Sequence, residues 1–157
     1  MHTHFVATVI WRVNPETQDI ELMVIDYRST DPRTGRKTEL QTKFVGGTNK
    51  ECPNESVEGT RDREVLEETN LTFQNSRQIW KKEVSPQHTK YGYLVDFKDC
   101  DGAIRNGVLV DDGDELSKPY WVSARTLGRI LFRSHQELYM VAIDIPMTQF
   151  GHEFDMD

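Results

Sequence analysis

Residues 63–68 read Arg-Glu-Val-Leu-Glu-Glu, and this hexapeptide constrains the chain more than any other stretch. On a helix, Glu64, Glu67 and Glu68 occupy positions i, i+3 and i+4, so their carboxylates project from one face. Three like charges this close repel one another, and a hard divalent cation such as Mg²⁺ neutralises such a cluster through oxygen ligands. A glutamate-rich helix face in solvent is the alternative, and the hexapeptide alone does not choose between the two.

The residues on either side of the hexapeptide favour the metal-binding interpretation. Gly46-Gly47 and Glu55 precede it, and Leu71 follows it. Their spacing resembles the Nudix box, whose family pattern is Gly-x(5)-Glu-x(7)-Arg-Glu-U-x-Glu-Glu-x-Gly-U, where U is an aliphatic residue. The positions in register are Glu55, Arg63, Glu64, Val65, Glu67, Glu68 and Leu71.

The sequence departs from this pattern at three places, none of which removes a carboxylate. Seven residues rather than five separate Gly47 from Glu55, which predicts a longer loop before the helix with Asn54 as the N-cap. Asn70 replaces the closing glycine, and asparagine is the next best residue for the left-handed conformation at a helix end. Residues 59–61 are Gly-Thr-Arg, where the family usually has small apolar residues.

The resemblance implies a fold of the α/β (α+β) class, with a Nudix-like α/β/α sandwich around a mixed β-sheet. We expect residues 1–157 to form a single domain. The implied reaction is hydrolysis of a diphosphate bond in a nucleoside diphosphate linked to another moiety, such as ADP-ribose or a nucleotide sugar, or in a nucleoside triphosphate. The implied cofactor is Mg²⁺, with Mn²⁺ as a substitute. Pro86, fifteen residues after Leu71, resembles the ADP-ribose and nucleoside-diphosphosugar branch.

The same resemblance implies a role for each residue of the box. The implied metal ligands are the carbonyl oxygen of Gly47 and the carboxylates of Glu64, Glu67 and Glu68. Glu64 is either a ligand or the base that activates water. Arg63 is expected to orient the nearby carboxylates, with Glu55 supporting it, because residues behind metal ligands fix their direction.

An acidic loop supplies a further catalytic candidate. Glu115 lies six residues before Trp121, and members of the Nudix family often use an acidic residue from a loop before a tryptophan-containing strand. The adjacent Asp111, Asp112 and Asp114 compete for this role, and a solvated acidic turn is the alternative.

Four residues near the first hairpin and the strand into the box are candidates for substrate binding: Tyr27, Arg28, Lys43 and Phe44. The basic side chains can meet phosphates, and the aromatic rings can stack on a base. For the two aromatic residues a place in the core is the competing interpretation.

The composition limits the partners. A net charge of −7 disfavours a nucleic-acid backbone, whereas a small nucleotide is compatible because a bound metal inverts the local field. No apolar run approaches the roughly 20 residues that span a membrane, and no secretory signal is evident. Two cysteines without a Cys-x-x-Cys spacing suit the cytoplasm. A homodimer stays open, as does a Nudix-like domain that senses nucleotides without cleaving them.

The rest of the sequence predicts strands on both sides of the box helix. Strands are predicted at residues 5–13, 20–27, 40–45, 71–84, 89–97 and 120–122, and the helix from residue 54 or 55 to residue 69. Ser123 and Ser134 are predicted to cap two helices near the C-terminus. This order indicates a mixed domain rather than alternating βαβ units.

Overall fold

A computed structural model describes residues 2–111 and 113–149, so Asp112 lies outside the described residues. Two α-helices and eleven strands are formed within them. The helices are α1 (Val57–Thr69) and α2 (Gln136–Gln149). The strands are β1 (Thr3–Val13), β2 (Ile20–Ser29), β3 (Gln41–Lys43), β4 (Val45–Thr48), β5 (Thr72–Phe73), β6 (Arg77–Ser85), β7 (His88–Asp96), β8 (Cys100–Asp101), β9 (Leu109–Asp111), β10 (Asp114–Leu116) and β11 (Tyr120–Ser123). No helix among these residues is long and apolar enough to cross a membrane.

The main sheet is mixed. Its strand order is β6-β7-β1-β2-β10-β9, with β4 paired to β1, and with β3 and β11 paired to β2. Strand β7 pairs in parallel with Thr3 to Trp11 of β1, and the other paired strands of this sheet are antiparallel. The two ends of β1 have different neighbours, because Phe5 to Thr8 pair with β4 and Trp11 to Val13 pair with β2.

Each face of this sheet packs against one helix. Along β2, Leu22 and Val24 belong to the cluster that contains Leu138 of α2, whereas Met23 belongs to the cluster that contains Val65 of α1. Successive strand residues point to opposite faces, so this alternation fills both sides of the sheet. The α/β/α sandwich expected from the sequence is confirmed.

Helix α1 begins two residues later than the sequence predicts. Its N-cap is Ser56, whose Oγ accepts a hydrogen bond from the backbone N–H of Gly59 at 2.9 Å. The prediction of Asn54 as the N-cap is wrong, because Asn54 lies in a turn before the helix. This turn is closed by a hydrogen bond from the backbone N–H of Glu55 to the carbonyl oxygen of Cys52, 2.9 Å long. At the other end, Asn70 has φ 68° and ψ 18°, which confirms the left-handed C-cap.

Three other sequence expectations need correction. The strand expected at residues 40–45 is broken at Phe44, since β3 pairs with β2 while β4 pairs with β1. The strand expected at 71–84 is divided into β5 and β6. Ser123 lies in β11, and Ser134 lies in a 3-10 turn, Arg133–His135, that precedes α2.

The C-cap of α1 gives a test of the fold. We expect Asn70→Ala to lower the free energy of unfolding by about 1 kcal/mol, because alanine is strained in the left-handed region. The same change removes the hydrogen bond from Asn70 Nδ2 to the Ala103 carbonyl oxygen, 3.1 Å long. Urea unfolding measures the difference. Asn70→Gly relieves the backbone and should stay closer to the wild type than Asn70→Ala; the reverse order would contradict this account of the cap.

Candidate active site

A cleft of about 540 Å³ brings most of the predicted site residues together. From the box it is lined by Gly47, Arg63, Glu64, Glu67 and Glu68, and from the neighbouring strands by Tyr27, Lys43 and Phe44. Other residues of its wall are Asp111 and Asp114 of the β9–β10 hairpin. The cleft therefore lies between the carboxylates in the second half of α1 and the strands that face them.

Arg63 is the centre of the box. Its Nε and Nη2 donate to the two carboxylate oxygens of Glu55, each at 2.9 Å. Nη1 donates to Glu64 at 2.8 Å and, less closely, to Glu67 at 3.4 Å. Nη2 also donates to the carbonyl oxygen of Thr48 at 3.0 Å. The guanidinium thus holds together the end of β4, the loop and two acidic side chains of α1. Its hydrogen bonds with Glu55 raise the pKa of Arg63.

Two residues that the sequence analysis did not select extend this network behind Glu55. Thr60 is fully buried, and its Oγ1 donates to Glu55 Oε1 at 2.7 Å. His4 Nε2 lies 2.7 Å from the same hydroxyl oxygen. Since the Thr60 hydroxyl proton points to Glu55, the hydroxyl oxygen accepts a hydrogen bond from the Nε2–H of His4. Thr60, at a position where the family usually has a small apolar residue, therefore holds Glu55 in place by a hydrogen bond.

The two glycines allow β4 to pass close to its neighbours. A Cβ at Gly46 would collide with the backbone of Val6 and Ala7 in β1. A Cβ at Gly47 would occupy the space of the Glu64 carboxylate. Any other residue at position 47 would displace that carboxylate from the cleft.

The acidic residues facing the cleft are held where their charge is unfavourable. Burial raises the pKa of Glu68 to about 8, and the nearby Glu64 adds to the effect. The Gly46 N–H opposes it with a hydrogen bond to Glu68 Oε1 at 2.8 Å. Burial also raises the pKa of Glu64 to about 7 against the opposing charge of Arg63. Glu67 differs, with 55% of its side chain exposed.

Of the four candidates for substrate binding, three line the cleft, and Arg28 does not. Lys43 Nζ lies 3.9 Å from the centroid of the Tyr27 ring, a cation–π contact, and burial lowers the pKa of Lys43. Phe44 is 1% exposed and belongs to the core cluster on the α2 side. Arg28 is turned to Glu115, to which its Nε donates at 3.0 Å.

Glu115 is not among the residues that line the cleft. Its carboxylate binds Arg28 and, at 2.9 Å, Lys37, and these hydrogen bonds lower its pKa. Its neighbours Asp114 and Leu116 line the cleft, because alternate residues of β10 point to opposite faces. Of the competing acidic residues in this loop, the structure brings Asp111 and Asp114 to the cleft.

Arg105 fixes the end of α1 and was not selected from the sequence. Its Nε donates to the carbonyl oxygen of Glu68 at 2.8 Å, and its Nη2 donates to that of Ser117 at 2.7 Å. The backbone N–H of Arg105 donates to the carbonyl oxygen of Thr69 at 2.8 Å. A cation at the last carbonyls of a helix is favourable. No local pattern marks a residue 36 positions after Thr69 for this role.

The box carboxylates suit a hard divalent cation, although they do not converge in the conformation described. Within residues 2–111 and 113–149, no three acidic, histidine or cysteine side chains are arranged to hold a metal ion. Glu64 and Glu67 are turned to Arg63, and Glu68 to the Gly46 N–H. The donor set is nevertheless all oxygen, and the raised pKa values of Glu64 and Glu68 reflect a charge that a cation would relieve.

Comparison with known proteins identifies the architecture. A mutT/nudix family protein from Listeria innocua has a TM-score of 0.66 and 16% identity, covering 94% of this chain and 95% of that one. The NUDIX domain of Shewanella oneidensis NrtR, solved with ADP ribose, has a TM-score of 0.64 and 17% identity over 92% and 88% of the two chains. The chain has the Nudix fold. A MutT NUDIX hydrolase from Burkholderia pseudomallei is similar too, with a TM-score of 0.61 and 16% identity over 90% and 98%.

The likeness is one of fold rather than of sequence. No protein-family model matches the chain, and no curated protein matches its sequence. In this chain the helix that follows the glycine pair is α1, which carries Arg63 and the glutamates of the hexapeptide.

The His4–Thr60–Glu55 chain gives a test of the site. Thr60→Val keeps the shape of the buried side chain and removes its hydroxyl, leaving the His4 N–H without its acceptor and Glu55 without one donor. We expect the free energy of unfolding to fall by about 1–3 kcal/mol in urea unfolding. Thr60→Ser keeps the hydroxyl and is the matched control. No loss in Thr60→Val, or a larger loss in Thr60→Ser than in Thr60→Val, would show that packing of the methyl group, not the hydrogen bonds, matters.

Proposed function

We propose that this protein is a Nudix-type pyrophosphohydrolase that uses a divalent cation to cleave a diphosphate bond. The observation that carries the proposal is the placement of Glu64, Glu67 and Glu68 on one helix at the wall of a cleft, with Gly47 beside Glu64. The substrate we propose is a nucleoside diphosphate linked to another moiety, such as ADP-ribose or a nucleotide sugar, or a nucleoside triphosphate. The ADP ribose bound to the NrtR domain is consistent with this class.

The box residues divide the work of such a reaction. Glu64, Glu67, Glu68 and the Gly47 carbonyl oxygen would hold Mg²⁺ or Mn²⁺. The cation, when bound, neutralises phosphate charge and lowers the pKa of a bound water. Arg63 keeps the carboxylates in place through its hydrogen bonds to Glu55, Glu64 and the Thr48 carbonyl oxygen.

Two acidic groups are candidates for accepting the proton of the attacking water. Glu64 is one, because its carboxylate lies in the wall of the cleft beside Gly47. Asp114 is the other, because it lines the cleft opposite α1 and is hydrogen-bonded to Tyr27. Lys43, also in the cleft wall, adds a positive charge that favours a bound phosphate.

A second candidate function is nucleotide sensing without cleavage. It is favoured by the ion pairs of Arg63 with Glu64 and Glu67, which occupy two of the three carboxylates proposed as metal ligands. In that case the cleft would bind the same nucleotides without turnover. The homodimer, the single domain and the cytoplasmic location stay predictions from the sequence.

One assay separates the two functions. We expect the wild type with Mg²⁺ to release phosphate-containing products from at least one member of a panel of nucleoside diphosphate conjugates and triphosphates. Changing Glu67 and Glu68 together to glutamine should reduce turnover at least about 100-fold, because the cation loses two anionic ligands. The release is followed by chromatography.

A third glutamate of the same helix provides the control. Glu58 is exposed in the first turn of α1 and does not line the cleft, so Glu58→Gln should retain turnover. Turnover that survives the double change would refute the metal site. Tight nucleotide binding without turnover on any substrate of the panel would favour the sensor.

The loop acids give a separate test. We expect Asp114→Asn to reduce turnover, whereas Glu115→Gln should behave as the wild type, because Glu115 is held by Arg28 and Lys37 outside the cleft. Initial rates at saturating substrate compare the two. A loss confined to Glu115→Gln would restore the assignment made from the sequence.

A further inference from the structure

A second, smaller pocket adjoins the cleft, and of its residues only Lys43 has a role in the proposed hydrolysis. It encloses about 100 Å³. Three residues belong to both cavities: Phe5, Lys43 and His135. The remaining walls of the small pocket are Ala7, Trp80, Lys90, Phe132, Ser134 and Leu138. The two cavities therefore share part of their lining.

The position of one proton on His135 follows from the backbone. The N–H of Phe44 donates to His135 Nδ1 at 3.3 Å, so Nδ1 carries no proton and Nε2–H is a donor. His135 is 5% exposed, and burial, with the charges of Lys43 and Lys90, lowers its pKa to about 3. The imidazole is therefore neutral, with its single proton on Nε2 at physiological pH.

The two lysines add only donors. An ammonium group has three N–H bonds and no acceptor. Neither Lys43 nor Lys90 forms an ion pair with any of the residues that the structure describes. Lys43 contacts the Tyr27 ring, and Lys90 lies 5.9 Å from the centroid of the Phe5 ring. Apart from the hydroxyl of Ser134, which can act in either sense, every polar side chain of the pocket is a donor.

The apolar residues of the pocket are mostly aromatic. Phe5 and His135 meet edge to face, with ring centroids 5.8 Å apart. Phe132 and Trp80 complete the aromatic part of the lining. Such a wall suits a flat ring, and its donors suit a ring whose edge carries acceptors.

We propose that this pocket binds the nucleobase of the substrate and selects an oxo-substituted base over its amino counterpart. The edge of guanine or hypoxanthine presents the O6 and N7 acceptors, and lysine is a common partner for both. Adenine replaces O6 with an amino group, and cytosine does the same to the O4 of uracil. An amino group would set a donor against the donors of Lys43, Lys90 and His135 and leave them unpaired.

This inference rests on the proposed function for its substrate and narrows it. Among nucleoside diphosphate conjugates, the pocket favours those of guanine, hypoxanthine or uracil over those of adenine or cytosine. It therefore points away from ADP-ribose within the class proposed above.

Nucleoside monophosphates test the selection without turnover, since they contain no diphosphate bond. We expect isothermal titration in Mg²⁺ buffer to show inosine monophosphate binding about five- to tenfold more tightly than adenosine monophosphate. Uridine monophosphate should likewise bind more tightly than cytidine monophosphate. Each pair differs by one oxo-to-amino exchange on the ring, accompanied by loss of the hydrogen on the adjacent ring nitrogen.

Variants of Lys90 connect the preference to the pocket. Lys90→Met should bring the two affinities of each pair closer together, while Lys90→Arg, which keeps donors and charge, should retain the preference. Lys98→Met is the matched control, because Lys98 is exposed and lines neither cavity. Equal affinities in the wild type, or a preference unchanged in Lys90→Met, would overturn the inference. Inorganic phosphate that displaces both purine monophosphates equally, in a Lys90-dependent manner, would identify an anion site instead.

The two proposals fail in distinguishable ways. Oxo-base preference in the titrations without hydrolysis of any conjugate would overturn the proposed function and keep the base selection. Hydrolysis with equal kcat/KM for inosine and adenosine diphosphate conjugates, together with equal monophosphate affinities, would overturn the selection and keep the function.

Discussion

The site depends on one guanidinium. Arg63 is the only group that contacts the end of β4, the loop residue Glu55 and two acidic residues of α1 among the described residues. Its planar fork matches the carboxylate of Glu55 with two parallel hydrogen bonds, a geometry that lysine cannot supply. The loop before α1 is thereby tied to the end of β4 and to α1, and residues 49–54 of this loop lie in turns and bends.

The negative charges of the acidic groups near this guanidinium are energetically unfavourable. Glu64 and Glu68 are partly buried, and their pKa values are raised because the protein offers Glu68 one backbone N–H and Glu64 a shared arginine. Folding places these charges together although they repel, and the β-sheet and core on the other side of α1 supply the stability. A divalent cation would turn this unfavourable arrangement into a favourable one, which is the physical reason to regard the face as a site rather than as solvated surface.

The sequence predicted the parts whose signal is local. The spacing of the box carboxylates, the left-handed Asn70 and most strands could be read from short stretches of residues, because helix geometry and capping act within a few positions. What it missed depends on contacts between distant segments. His4 reaches Thr60 across 56 positions, Arg105 reaches the end of α1, and Glu115 is turned from the cleft by Lys37, 78 positions away. No periodicity records such pairings, and the wrong N-cap arose because Asn54 and Ser56 are equally suitable by type.

The interruption of the strand at Phe44 positions residues of both cavities. Because Phe44 belongs to neither β3 nor β4, its N–H is free of the strand ladders and donates to His135, which fixes the proton of that imidazole on Nε2. The same break lets β3 follow β2 while β4 follows β1. Lys43 is thus delivered to the donor-lined pocket, and Gly46 and Gly47, two and three residues after Phe44, to the carboxylates. A single interruption therefore gives the cleft an acidic end, where a bound cation would hold the diphosphate of the proposed substrate, and a donor-rich end, where its acceptor-bearing ring would bind.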